Sequence, residues 1–337
     1  MDYARLGHTG LKVSRLCLGT MMFGRWGNTD HDDCGRVVRR AIDDGVNFID
    51  TANRYSMGES EEILGKALAG RRDEVVLATK VIMPGPGGLL DRGTSRRHIM
   101  LQVEESLRRL RTDWIDLYQI HRNDGDTPIE ETLSALTDCV RQGKVRYLGV
   151  STGTLLESRS MFFSGWKMVE SLWTSERRNL ERFISTQPPY SIFTREMERE
   201  VFPVCRAHGF GAIVWSPLEG GWLAGRYRKG QPIPEDSRAK NPTEFGAFVQ
   251  RQFDMTTEKA QRRLEVVEVL AGFAEELGVP LARYATAWTL VHPAVTSAII
   301  GPRTMTQLEG LLAAGDVRIP AAHLERIDAL VPPMTNA

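Results

Sequence analysis

Eight short apolar runs, with amphipathic segments between most of them, predict a closed parallel (β/α)8 barrel. The runs are LCLGT (16–20), VNFID (46–50), VVLATK (75–80), WIDLYQIH (114–121), VRYLGV (145–150), FISTQ (183–187), GAIVW (211–215) and TSAIIG (296–301). Their apolarity is continuous rather than alternating, as strands buried on both faces beneath covering helices require. After the third run, Ile99, Val103, Leu107 and Leu110 are spaced four, four and three apart and line one helical face. Repetition of this βα pattern fits a closed barrel better than an open sheet.

The flanking segments are predicted in the same way. YARLGHTGLKVSR, ahead of the first run, sets two short polar-apolar stretches around a Thr-Gly turn. It predicts a β-hairpin that plugs the barrel bottom, with an ordered N-terminal arm as the alternative. Residues 225–257 form a long insertion rich in Pro, Gly and charge, followed by a helix predicted at about 258–277. Together with 83–94, after Lys80, it would supply long loops over the C-terminal face. A chain of 337 residues is ordinary for one barrel with insertions, so a single domain spanning 1–337 is expected.

Lys plus Arg and Asp plus Glu both number 43, and no dense basic block occurs. A nucleic-acid or membrane surface is therefore unsupported, and the expected partner is a small molecule. The start, MDYARLGHTGLKV, lacks the charged head and apolar core of a signal peptide. No apolar run reaches the ~18 residues of a membrane span, so a cytoplasmic protein is expected. Cys17, Cys34, Cys139 and Cys205 are scattered without CxxC spacing. That reads as reduced structural thiols, with no metal site and no redox pair.

Barrels of this class carry their chemistry at the C-terminal strand ends. Asp50, Tyr55, Lys80 and His121 all fall there, on the second to fourth runs. A carboxylate, a phenol, an ammonium and an imidazole gathered in one place suit carbonyl reduction. A proton must reach the developing alkoxide, and a phenol with an ordinary pKa of about 10 donates weakly unless its anion is stabilised. Lys80 would supply that stabilisation, with Asp50 keeping the ammonium charged and placed. His121 would orient the carbonyl oxygen. The plainer alternative is a buried polar network whose members only satisfy one another.

The stretch GVNFIDTANRYSMGESEEILGKAL (45–68), with VLATK and DLYQIH, closely resembles the aldo-keto reductases. Similarity continues through GKVRYLGVS (143–151), QPPYSIFTREMEREVFPVC (187–205), WSPLEGGWLAGRY (215–227) and AIIGPRT (298–304). The resemblance implies a TIM-type (β/α)8 barrel, NADPH as hydride donor, Tyr55 as acid, Lys80 and Asp50 as its tuning pair, and His121 as carbonyl orienter. No GxGxxG follows the first run, so a Rossmann grip on the dinucleotide is not expected. The resemblance instead implies cofactor contacts from Gly19, Thr20, Met21 and Asp50 and from Ser151, Thr152 and Gln187. Trp215 would stack on the nicotinamide while Ser216, Leu218 and Gly220 present backbone or hydroxyl groups to the pyrophosphate, with Pro217 among the cofactor-binding residues. Arg226, Arg238, Arg303 and Gln307 occupy family positions around the adenosine phosphates, and Gly301 is a further cofactor-binding residue. Guanidinium groups suit a 2′-phosphate, which favours NADP over NAD.

Three departures stand out. Thr152 stands where Asn is common, Gly310 and Leu311 replace a Glu-Asn pair that grips adenine, and Ser56 replaces a Gly after the tyrosine. Met22, Phe23, Trp26, Met57, Ile82, Arg122 and Trp222 fall on or beside active-face loops and predict a wide, partly aromatic pocket. WSPLEGGW with GPRT is similar to branches that include deoxysugar ketoreductases, implying a bulky or sugar-like carbonyl. SRSMFFSGWKM (158–168) is read as a packed outer helix and its turn rather than a substrate wall. The competing function is a cofactor-sensing regulatory subunit resembling channel β-subunits. A short-chain dehydrogenase is set aside because Tyr-x-x-x-Lys spacing is absent.

Overall fold

The computed structural model describes residues 1–81, 88–90, 92–152, 163–235, 237, 239–240 and 253–337. All eight runs are strands: β3 (Leu16–Gly19), β4 (Phe48–Asp50), β5 (Val76–Val81), β6 (Ile115–Ile120), β7 (Val145–Ser151), β8 (Phe183–Gln187), β9 (Gly211–Val214) and β10 (Val295–Ile300). They close in chain order, with β10 pairing both β3 and β9, and every pairing is parallel. The predicted (β/α)8 barrel is the observed one.

Ahead of it, β1 (Tyr3–Arg5) pairs antiparallel with β2 (Lys12–Ser14). This hairpin does plug the barrel floor. Leu6 and Val13 are fully buried in a cluster with Cys17, Phe48, Val76, Ala78, Leu117 and Ile213. Those residues come from five barrel strands, and the hairpin's apolar side chains close the well between them.

The two-residue period of a strand then fixes what lies above the floor. Two positions beyond Phe48 is Asp50, beyond Ala78 is Lys80, and beyond Leu117 is Gln119. Strand register sets Asp50 beside Ala78 and Lys80 beside Gln119. Each strand thus contributes an apolar residue low in the barrel and a polar one higher up, which concentrates the chemistry at one end.

The outer layer follows its apolar periodicity. Ile99, Val103, Leu107 and Leu110 are the buried face of the helix Arg96–Leu110, which Ser95 caps by accepting from the His98 amide. Burying each such side chain contributes roughly 1.5–3 kcal/mol. The helix predicted after the insertion spans Glu258–Glu276 and is capped by Thr257. A helix also covers Gly165–Arg178, beyond a buried Phe163, as the packed reading of 158–168 expected. Trp166 is nevertheless 59% exposed, and 158–162 lie outside the described residues. The four cysteines are free and buried. Among the described residues no helix is long and apolar enough to cross a membrane.

Candidate active site

Asp50 closes β4, and the chain turns immediately into the 3-10 turn Tyr55–Gly58. Lys80 lies inside β5 rather than beyond its end, because the ladder continues through Val81, paired with Ile120. His121 follows β6, its amide bonded to the Val81 carbonyl at 2.9 Å. The barrel brings all four together. Lys80 Nζ, fully buried, donates to Asp50 Oδ1, to the Thr51 carbonyl at 2.9 Å and to the Tyr55 hydroxyl at 3.1 Å. The Tyr55 and His121 rings meet edge to face, with centroids 5.8 Å apart.

Charge and burial oppose each other here. Burial pushes the Tyr55 phenol above its ordinary value and outweighs the lowering by Lys80. The expected depression by the ammonium is therefore present, but it is the lesser effect. Burial alone would lower Lys80, yet Asp50 and Tyr55 together raise it, so the ammonium stays charged. Burial, then Lys80 and Arg122, hold His121 well below 6.5. Its imidazole is thus neutral at neutral pH, and among the described residues its buried Nδ1 has no hydrogen-bond partner. The site holds a protonated phenol against a fixed cation, beside a neutral ring.

Sequence reasoning missed Gln119. Its amide donates to Asp50 Oδ2 at 3.0 Å, and that of Gln187 reaches the same oxygen at 2.9 Å. Gln187, expected among the cofactor contacts, also steadies Asp50, because β8 turns it into the barrel beside Gln119. The available signal was a glutamine two positions before His121, in phase with it along the strand.

The loop after β9 follows an unusual backbone path. Ser216, Glu219, Gly220 and Gly221 have φ of 58°, 46°, 65° and 111°. Within the loop the Glu219 and Gly221 amides donate to the Ser216 and Leu218 carbonyls, at 3.0 and 2.9 Å. Glycines take a positive φ freely, whereas Ser216 and Glu219 need support. Glu219 has it, accepting from the Ser191 and Thr194 hydroxyls at 2.8 and 2.6 Å. Trp215, Leu218 and Arg226 are half-buried in the same stretch, and Pro217 is buried. Across the mouth, Thr304 caps the helix Met305–Leu312, and Gln307 Oε1 accepts from the Arg303 amide at 2.8 Å. The nearest atom to a Cβ at Gly301 would be the Gly19 carbonyl oxygen, at 4.0 Å. The strand-end residues Gly19, Thr20 and Met21 border this opening, with Thr20 bonded to Ser60 at 2.9 Å. Arg226 and Arg303 are cations that these loops could offer a phosphate.

The aldo/keto reductase family model matches residues 15–332. The chain belongs to this family. It is 38% identical to the uncharacterized oxidoreductase YrpG of Bacillus subtilis (strain 168), over 98% of this chain and 96% of that one. A probable voltage-gated potassium channel subunit beta of Arabidopsis thaliana is 36% identical, over 94% and 92%. The versiconal hemiacetal acetate reductase of Aspergillus parasiticus is 33% identical, over 97% and 96%. Membership in the aldo/keto reductases makes the chain an oxidoreductase of the carbonyl-reducing kind, in a family that generally uses a nicotinamide cofactor.

Not every expected contact of this aldo/keto reductase is displayed. Thr152, fully buried, bonds Thr186 Oγ1 at 3.3 Å, and Ser151 donates to the Gln187 carbonyl at 2.9 Å. Phe23 is fully buried, and Trp222 is 1% exposed, packed among Tyr227, Phe253 and Arg263. Both are packed in the core beneath the loops. Trp26 and Met57 do flank Tyr55: the Trp26 ring lies 6.1 Å from the phenol ring, and Met57 is exposed. Arg122 lowers both Tyr55 and His121 through its charge. Leu311 is buried and Gly310 presents its carbonyl to Arg283 at 3.0 Å, so neither supplies a polar side chain for adenine. Ile82, Arg238 and the centre of the 225–257 insertion lie outside the described residues.

Proposed function

We propose that this chain is an NADPH-dependent reductase of aldehydes or ketones in which Tyr55 delivers the proton. The observation that carries the reading is Lys80 Nζ at 3.1 Å from the Tyr55 hydroxyl, with a neutral His121 alongside. A bound nicotinamide would supply the hydride to the carbonyl carbon. Tyr55 releases its proton to the developing alkoxide, and Lys80 stabilises the tyrosinate that remains. Asp50, fixed by Gln119 and Gln187, holds the ammonium still. His121, unable to compete as a charged acid, orients the carbonyl oxygen by hydrogen bonding.

The left-handed loop at Ser216–Gly221 and the capped helix after Arg303 would hold the pyrophosphate and adenosine phosphates. Arg303 and Arg226 favour a 2′-phosphate and hence NADP over NAD. Trp26, Met57 and Arg122 would form the substrate mouth, suited to a bulky or sugar-like carbonyl. Turnover of an aromatic aldehyde with NADPH, with NADH in parallel and Tyr55→Phe as control, tests the proposal. Loss of a proton donor is expected to lower kcat by about 10²–10⁴-fold. Undiminished turnover by the variant would overturn the mechanism.

A second reading, a cofactor-sensing regulatory subunit, is favoured by the similarity to the Arabidopsis protein. Slow turnover with tight NADPH retention and a stable hetero-complex in pull-down would support it.

A further inference from the structure

We propose that Glu59 is the positioning residue of the substrate mouth, its carboxylate latching the loop 24–28, and with it the Trp26 ring, onto the Tyr55 turn. The proposal rests on the reductase reading, in which Trp26 is a wall of that mouth. Glu59 begins the helix Glu59–Ala67, directly after the turn that carries Tyr55. An acidic residue there ordinarily serves the helix end. This one reaches across to another loop. Its Oε2 accepts from the Arg25 amide at 2.9 Å and from Arg25 Nε at 3.4 Å, while Oε1 meets His31 Nε2 at 2.8 Å.

The loop is built around this carboxylate. Gly24 has φ of 85°, and a Cβ there would stand 2.6 Å from Glu59 Oε2, so the carboxylate packs directly on the glycine. The turn is closed on itself by Gly24 N to Asn28 O at 2.8 Å and Asn28 N to Met22 O at 2.8 Å. A second tie joins the same two loops: the Trp26 amide donates to Ser56 Oγ at 3.2 Å, and Ser56 donates to the Phe23 carbonyl at 2.7 Å. Ser56 has φ of 49°, a conformation that a non-glycine residue holds only with such support. At its far end Asn28 Nδ2 donates to the Arg303 carbonyl at 2.8 Å. Asn28 Nδ2 also donates to Asp33 Oδ2 at 2.8 Å, so one short loop spans from the proton donor to the phosphate-facing loop, and Glu59 is the charged link at its Tyr55 end.

The consequence is specificity. A Trp26 ring fixed near Tyr55 gives a flat carbonyl substrate a rigid apolar face, whereas a small aliphatic aldehyde needs no such face. Releasing the latch should weaken binding of the large substrate selectively and leave proton delivery to Tyr55 and Lys80.

The test compares wild type, Glu59→Ala, Glu59→Gln and Arg25→Ala by amide hydrogen exchange over 22–31 and by steady-state kinetics with an aromatic and a small aliphatic aldehyde. Hydrogen bonds to a charged group are strong enough that Glu59→Ala should speed exchange at 24–28 about tenfold. It should also raise KM for the aromatic aldehyde about tenfold, with far less change in its kcat or in KM for the small one. Glu59→Gln keeps an acceptor for the Arg25 amide and should recover much of both effects. Arg25→Ala keeps the amide itself and should loosen the loop less. Should Glu59→Ala fail to fold, Gly24→Ala tests the latch from the loop side by displacing the carboxylate. Unaltered exchange at 24–28, or equal KM changes for the two aldehydes, would overturn the proposal. If wild type turns over neither aldehyde the reductase reading fails, and the exchange data alone decide the latch.

Discussion

Gln187 donates to Asp50 Oδ2 at 2.9 Å across 137 positions of the chain. The other oxygen of that carboxylate holds Lys80, which in turn donates to Tyr55. The phenol's cation is therefore set by strands β4, β5, β6 and β8 acting through one buried carboxylate.

Removing a donor from Asp50 should loosen that chain. Gln119→Leu and Gln187→Leu each strip one bond from a buried charge, a loss of about 1–3 kcal/mol. Both variants should unfold at lower urea concentration. Because the two amides share an oxygen, the double variant should deviate from additivity, and strict additivity would show that they act separately.

The ion pair itself should be costly to break by halves. Asp50→Asn or Lys80→Met leaves one buried charge unpaired, which costs about 3–5 kcal/mol. The combined variant removes both charges and should be less destabilised than the sum of the two. Chemical denaturation of the three proteins measures this, and a full additive loss would contradict it.

Stability should fall in mild acid. Burial holds folded His121 well below 6.5, and lowers His292 as well. The unfolded chain binds protons at these rings as pH drops through about 6.5, where the folded chain does not. Their contribution is thus fully present above that pH and lost below it, by up to about 1.4 kcal/mol per pH unit for each ring. Urea midpoints at pH 7.5 and 5.5 measure the loss, and His121→Gln should flatten it. Equal midpoints in the wild type would refute this account.

Gly149 tests the packing behind the carboxylate. A Cβ there would stand 2.7 Å from Ser185 Oγ and 2.9 Å from Gln119 Cγ. Gly149→Ala should cost roughly 1–3 kcal/mol by overpacking and displace Gln119 from Asp50. Both the thermal midpoint and kcat should drop, and a fall in stability with kcat intact would mean that Gln119 does not position the site.

Much of this was legible in one dimension. Continuous apolar runs with amphipathic segments between them can bury both sheet faces only under helices, which sufficed for the barrel. Asp50, Lys80 and His121 could be picked out because polar groups at the ends of apolar strands have few places to go. Gln119 escaped notice because a glutamine inside a strand carries no sign of its partner.

The sequence by itself determined the eight strands, their order and the four polar groups at the strand ends, since all depend on local periodicity and composition, whereas it left the N-terminal hairpin open against an ordered arm. Only the tertiary structure decided how those groups are tuned. Whether burial or Lys80 governs Tyr55, whether Gln187 meets Asp50, and how deeply Phe23 and Trp222 are buried depend on distances between strands and loops far apart in the chain. Charge interactions and packing act through space, and closing the barrel is what sets those distances.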